Sequence, residues 1–290
     1  MTEPSILYHY CSNSAFHSIM SQRRVRLSLL SMSNDTKEGQ HILDLAGRIF
    51  PDTFAHRNDA LEQLKQVISR VSAIGFCLSA DGDVLSQWRG YADNAQGVAL
   101  GFDFAALKAA TEQESEDGII VRIASVAYSS KALETAMKPY VQPVIEHYES
   151  GAMRQPRLST LLMKMTNEEM EEDKQRYMGE HKKLFYMLFD IANYAYMIKA
   201  NFFIEEQEWR IIGHLTNLMG VLALPSVQFQ ASAEKLKPFR DFPLRGFAPS
   251  MVKEVVLGPR NQTQVEVMRL FLDGLGFNHV TFRNSTGSYR

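Results

Sequence analysis

The chain has 290 residues, enough for one large domain or two small ones. Its 31 Lys+Arg nearly balance 33 Asp+Glu, leaving a formal charge of −2, so no global basic field draws in nucleic acid or anionic membrane. Met1-Thr2-Glu3-Pro4 shows no signal-peptide pattern and no run of about 18 apolar residues occurs, so neither secretion nor a membrane span is expected.

In chain order, Ile6 to Tyr10 is short, apolar and aromatic, as a buried strand is. Ser12 and Ser14 are caps for a helix whose Phe16, Ile19 and Met20 share one face, and Val25, Leu27 and Leu29 then alternate with polar residues as in a half-buried strand. A turn at Ser33-Asn34-Asp35-Thr36 leads to helices around Glu38 to Ile49 and Asp59 to Val71. Ala73 to Ser79 reads as a strand ending in the turn Asp81-Gly82-Asp83, Val84 to Tyr91 as a helical turn, and Gly97 to Asp103 as a strand. A helix from Phe104 and a strand through Ile119 to Tyr128 follow. Lys131 to Asn201 is helical, with an acidic cluster at Glu168, Glu169, Glu171, Glu172 and Asp173 that reads as a solvated helix face. Strands return at Trp209 to Ile212, Gly220 to Phe229 and Val252 to Val256, before a helix at Gln262 to Leu272 and a closing strand at Val280 to Phe282. With no linker and no repeat, the expectation is one α+β domain over 1–290. Its mixed or antiparallel sheet core comes from about 1–130 and 205–290, with a helical insertion at about 131–204.

The most concentrated chemistry is Phe202 to Ile212. In an extended chain Glu206 and Glu208 point the same way, and two carboxylates on one side need a cation, for which Arg210 is placed. The alternative is a surface Glu/Arg cluster entering an edge strand. His9, inside an apolar strand, must find a hydrogen-bond partner or lose roughly 1–3 kcal/mol, which a satisfied core histidine would also do. The other histidines lack metal-ligand spacing and no nucleophile elbow or phosphate-cradling glycine loop occurs, so no metal is expected. Cys11 and Cys77 lack the number and spacing of a disulfide framework, fit a reducing cytoplasm, and read as buried small hydrophobes. Trp88, Arg89 and Tyr91 form either a plug at a sheet edge or a stacking platform beside a cationic donor.

The succession Leu7-Tyr8-His9-Tyr10, Asn34-Asp35, Phe76 to Ser79, Leu85 to Tyr91, Gly97 to Asp103, Lys199 to Arg210 with Glu206-Gln207-Glu208-Trp209-Arg210, and a Ser285 to Arg290 tail resembles a widespread bacterial domain family of unknown function. A second resemblance is to ADP-ribosyltransferases, whose order of a His- or Arg-bearing strand, a helix, a strand ending in Phe-Ser and a late Glu-x-Glu strand is similar to His9, the Phe16 to Met20 helix, Phe76 to Ser79 and Glu206-x-Glu208. It implies a split-sheet core and NAD as substrate. His9 would hydrogen-bond the nicotinamide ribose, Tyr91 or Trp88 would stack on nicotinamide, and Glu208, assisted by Glu206, would stabilise an oxocarbenium-like transition state. Tyr10, Ser79, Arg89 and Arg210 complete the implied NAD-binding set. The acceptor, protein or nucleic acid, stays open, as does the oligomeric state, and a toxin or phage-defence role is what such resemblance implies. A non-catalytic nucleotide- or partner-binding module, and an NAD glycohydrolase or nuclease, are the other readings.

Overall fold

The computed structural model describes residues 3–32, 41–70, 73–112, 121–157, 164–214, 227–231, 236–243 and 249–287. The turn expected at 33–36 and the end of the tail lie outside them, as does most of the strand expected at 220–229.

The opening pattern folds as β1 (Ile6–Cys11), α1 (Asn13–Gln22) and β2 (Arg24–Leu29). Ser12 caps α1 by accepting a hydrogen bond from the Ala15 amide, and Phe16, Ile19 and Met20 make its buried face. Arg23, at φ 53°, ends the helix in the left-handed conformation. In β2, Val25 and Leu27 are buried while Arg24, Arg26 and Ser28 stay exposed. There follow α2 (His41–Ile49), α3 (Arg57–Arg70), β3 (Ala73–Ser79), α4 (Leu85–Tyr91), β4 (Val98–Asp103), α5 (Phe104–Thr111) and β5 (Arg122–Ser125). Gly97, at the entry to β4, is required by close approach, since a Cβ there would lie 2.0 Å from the Cys11 carbonyl oxygen.

The helical stretch forms α6 (Ser130–Glu149) and α7 (Asn167–Ala192). A capping box between Thr166 and Glu169 starts α7, where Glu168 and Glu169 also suit the positive helix end. The acidic cluster is exposed except at Asp173, which is buried and paired with Arg176 and Arg157. The remaining elements are β6 (Glu208–His214), β7 (Gln228–Ala231), β8 (Leu236–Pro243), β9 (Val252–Leu257), α8 (Val265–Gly274) and β10 (Thr281–Asn284).

Among the described residues the ten strands form one sheet, ordered β10-β9-β4-β1-β3-β2-β8-β7, with β6 paired to β3 and to β5. The β9–β10 pair is parallel and the other pairs are antiparallel, so the sheet is mixed. Alternation along β3 and β6 builds two cores. Ile74, Phe76, Leu78 and Ile211 face one core with the apolar faces of α1, α5 and α8. Ala73 and Ile212 face the other, made with α2, α3, α6 and α7. A fully buried Leu or Phe in either contributes roughly 1.5–3 kcal/mol. The helical layer is therefore not the insertion alone, because α2 and α3 join α6 and α7 in covering the same face. Among the described residues no helix is long and apolar enough to cross a membrane.

Candidate functional site

A strand has two edges, and β6 occupies one edge of β3 along its whole length, from Ala73 opposite His214 to Ser79 opposite Glu208. The other edge is shared. β2 pairs at its start, with Ser28 opposite Gly75 and Leu29 opposite Ile74, and β1 pairs only at its end, with Tyr8 opposite Ser79. Between these points β1 and β2 diverge, and the registers of both stop short of Phe76, Cys77 and Leu78. The divergence opens a cleft of about 400 Å³ whose lining includes His9, Cys77, Tyr91, Lys199, Glu208 and Arg210. A small hollow beside it is also lined by His9, Tyr91 and Glu208, together with Glu206.

His9 fills part of the gap. Its Nδ1 lies 2.9 Å from the Cys77 carbonyl oxygen, a group the partner strands leave available, and its ring stacks on Phe76 with centroids 4.0 Å apart. A carbonyl oxygen only accepts, so Nδ1 carries the hydrogen and Nε2 presents a lone pair. Burial lowers the imidazole pKa to about 4, against the opposing pull of the Cys77 carbonyl, so the ring is neutral at physiological pH.

Glu206, Glu208, Lys199 and Arg210 form a buried four-charge cluster, each no more than 7 % exposed. Arg210 donates to Glu208 from Nε at 2.8 Å and from Nη2 at 3.0 Å, a bidentate fork, and its Nη1 donates to the Tyr196 carbonyl at 2.7 Å. Lys199 Nζ donates to Glu208 Oε2 at 3.1 Å and also to Glu206. Two cations thus answer two anions. Burial alone would raise the Glu208 carboxyl, but Arg210 and then Lys199 hold it below the usual carboxylate range. In Glu206 burial wins over Lys199 and the carboxyl is raised. Two neighbouring carboxylates pushed apart in this way are suited to different tasks. For Lys199, burial would lower the ammonium, yet Glu208 and Glu206 raise it above its ordinary value.

The convergence of the two glutamates does not come from a continuous strand. Residues Asn201–Glu206 form a 3-10 turn, Gln207 is left-handed at φ 43°, and β6 begins at Glu208. A change of backbone direction, rather than the strand period, brings Glu206 round to Lys199. Glu205 is exposed, and Arg210 shares the Glu208 face as the strand period requires.

Other expected ligand contacts fall elsewhere. Trp88 is no stacking platform: it is 1 % exposed, lies edge-on to Tyr10 at 4.8 Å, and donates its indole N–H to Asp83 at 2.8 Å. Its ring closes a small core with Tyr10, Ala92, Ala95, Ala99 and Val256. The Tyr10 hydroxyl donates to the Asp81 carbonyl and accepts from the Val84 amide, so its polar end serves the turn before α4. Ser79 is buried and donates to the Glu206 carbonyl at 2.7 Å, fixing the 3-10 turn against β3. Arg89 is exposed on α4, outside the cleft lining, whereas Tyr91 stands at the rim. Burial, then the Glu206 carboxylate, pushes the Tyr91 hydroxyl up to about 12. Trp209 points to the opposite face of β6 from Glu208 and meets Phe104 edge-on at 5.1 Å.

Three contributors are not among the expected site residues. Lys199 is a lysine following the apolar run Tyr196-Met197-Ile198, which is the one sequence sign of a buried cation. Tyr128 accepts the Glu208 amide hydrogen at 2.8 Å. Cys77 is half-buried in the cleft wall, where its thiol helps Arg210 and Lys199 to hold the Glu208 carboxyl down, while Cys11 is buried in the core. Among the described residues no group of three or more His, Cys, Asp or Glu is arranged to hold a metal ion.

Comparison with curated proteins and with solved structures returns no match. A family model described as a protein of unknown function, DUF2971, matches residues 87–211, the stretch from α4 into β6 that supplies Tyr91, Lys199, Glu206, Glu208 and Arg210. Over those residues, under half of its length, the chain is similar to this domain family of unknown function.

Proposed function

We propose that the chain is an ADP-ribosyltransferase-like enzyme of the cytoplasm that binds NAD in the cleft, breaks the bond between nicotinamide and ribose, and passes ADP-ribose to an acceptor. The observation carrying this reading is that His9 on β1 and Glu208 on β6, far apart in sequence, line one cleft opened by the divergence of β1 and β2 from β3. His9 Nε2 is an acceptor suited to a ribose hydroxyl. Glu208, kept ionised, offers negative charge where positive charge develops at the ribose carbon as nicotinamide leaves with the bonding electrons. The acceptor's nucleophile then forms the new bond at that carbon and gives up its proton. Arg210 and Lys199 satisfy the Glu208 carboxylate firmly, whereas a thiol is a weak donor, so Cys77 is the partner that a ribose hydroxyl displaces. Tyr91 at the rim is the aromatic surface placed to cover nicotinamide.

The test is incubation of the purified protein with NAD, reading nicotinamide release with and without protein and nucleic-acid acceptors. Wild type is expected to release nicotinamide, and Glu208→Gln, assayed well below its own melting temperature, to lose at least a hundredfold in rate. Equal rates in the two proteins, or no release with any acceptor, would remove the transferase reading.

A further inference from the structure

The helical layer carries an open cavity of about 570 Å³ that shares no lining residue with the cleft or the hollow beside it. Its lining brings together Asp59 and Glu62 of α3, Tyr148 of α6, Met153 and Arg154 of the turn after α6, and Tyr177 of α7. The charges there do not cancel one another. Asp59 meets only His56, at 3.8 Å, and Glu62 only Lys65, at 3.9 Å, while the Arg154 guanidinium makes no hydrogen bond or ion pair among the described residues.

The backbone that bears Arg154 is nevertheless held in place. Arg176 on α7 donates to the Ala152 carbonyl at 3.2 Å and to the Arg154 carbonyl at 3.0 Å, and is itself fixed by buried Asp173 at 3.2 Å. Gly151, at φ 75°, makes the turn, and the Arg154 amide donates to the Gly151 carbonyl at 3.0 Å. The rest of the lining supplies aromatic surface. His56 stacks on Tyr148 with centroids 5.2 Å apart, and Gln155 steadies Tyr177 by donating to its hydroxyl at 3.0 Å. Burial, then the Asp59 carboxylate, pushes the Tyr148 hydroxyl up to about 12, so the Asp59 charge acts on the space beside that ring.

Two carboxylates and a guanidinium that share a cavity without pairing, together with aromatic surface, suit one small molecule that carries both charges and an apolar body. We propose that this cavity binds a free amino acid with a large apolar or aromatic side chain, Arg154 taking its carboxylate, Asp59 and Glu62 its ammonium, and Met153, Tyr148 and Tyr177 packing its side chain. The site is independent of the NAD reading.

The protein amino acids, added one at a time to the whole chain while its melting temperature is read, test this directly. Large apolar ones are expected to raise the melting temperature saturably and glycine to leave it unchanged. The strongest then goes to calorimetric titration beside its decarboxylated amine and its deaminated acid. Arg154, Asp59 and Glu62 are exposed, so Arg154→Gln and the double variant Asp59→Asn with Glu62→Gln are expected to melt with wild type. Wild type is expected to bind one amino acid per chain, and each variant to bind it about tenfold or more weakly. The amine, lacking the carboxylate, is expected to bind wild type and Arg154→Gln alike, and the acid to bind wild type and the double variant alike, both more weakly than the amino acid. No melting shift with any amino acid overturns the site, as does affinity unchanged by Arg154→Gln. An amine that binds wild type as tightly as the parent amino acid also overturns it, since the cavity would then hold a cation alone. Should either variant melt early, the comparison of amine, acid and amino acid on wild type decides by itself.

Discussion

Glu208 accepts two bonds from Arg210 and one from Lys199 inside the protein, so substitutions here act on stability as well as on chemistry. Lys199→Met leaves two buried carboxylates facing one guanidinium and is expected to cost about 3–5 kcal/mol, read from urea unfolding. Glu206 is already raised towards its neutral form and Glu208 is held ionised, so Glu206→Gln is expected to cost less than Glu208→Gln. Equal losses would show that the two carboxylates do not differ as described. A pH signature follows from His9 and His214, both lowered by burial to about 4. A histidine with a depressed native pKa binds fewer protons folded than unfolded between its ordinary value of about 6.5 and about 4, so its contribution is complete above that window and is lost as pH falls through it. The melting temperature is therefore expected to drop from pH 6.5 to 4, and less steeply in His9→Phe; parallel profiles would contradict a neutral buried His9. At this scale the sequence was legible where one element decides the outcome. Glu208 and Arg210 share a strand face by spacing alone, but the cation joining Glu206 to Glu208 comes from outside the strand, and spacing within the strand does not reach Lys199.

Within α4 and the turns around it, the aromatic residues hold structure rather than ligand. Trp88 is the centre of the small core beneath α4, and its indole N–H meets the Asp83 carboxylate, which also accepts from Ser285 and Thr286 of the C-terminal segment. Trp88→Ala is accordingly expected to cost about 3–5 kcal/mol. Saturating NAD should leave tryptophan fluorescence nearly unchanged, because Trp88 and Trp209 both lie outside the cleft lining; a saturable quench that vanishes in Trp88→Phe would return Trp88 to the site. Most helices and strands could be read from periodicity, with boundaries shifted by a few residues. Two could not. The segment Leu236–Pro243 carries Pro238 and Pro243, which argue against a strand, yet β8 pairs along β2 and β7. The 3-10 turn before Glu208 sits in an apolar and acidic run that reads equally well as extended chain.

At the scale of the whole molecule, one long-range fact makes the cleft: β6 takes a full edge of β3, so β1 and β2 must divide the other. That strands from the two ends of the chain share a sheet follows from their apolar character and the lack of a linker. How two strands divide one edge does not, since it depends on α1 carrying the chain from β1 across to β2 and on β8 continuing the sheet beyond it. The same division leaves the Cys77 carbonyl to His9 and puts the Cys77 thiol against Glu208, in the wall of the proposed NAD site. Mass-spectrometric rates of iodoacetamide labelling therefore read the occupancy of that site directly, with core-buried Cys11 as an internal reference. The account predicts that Cys77 is labelled in the free protein and is protected saturably by NAD while Cys11 stays unlabelled; a Cys77 rate unchanged at saturating NAD would contradict it.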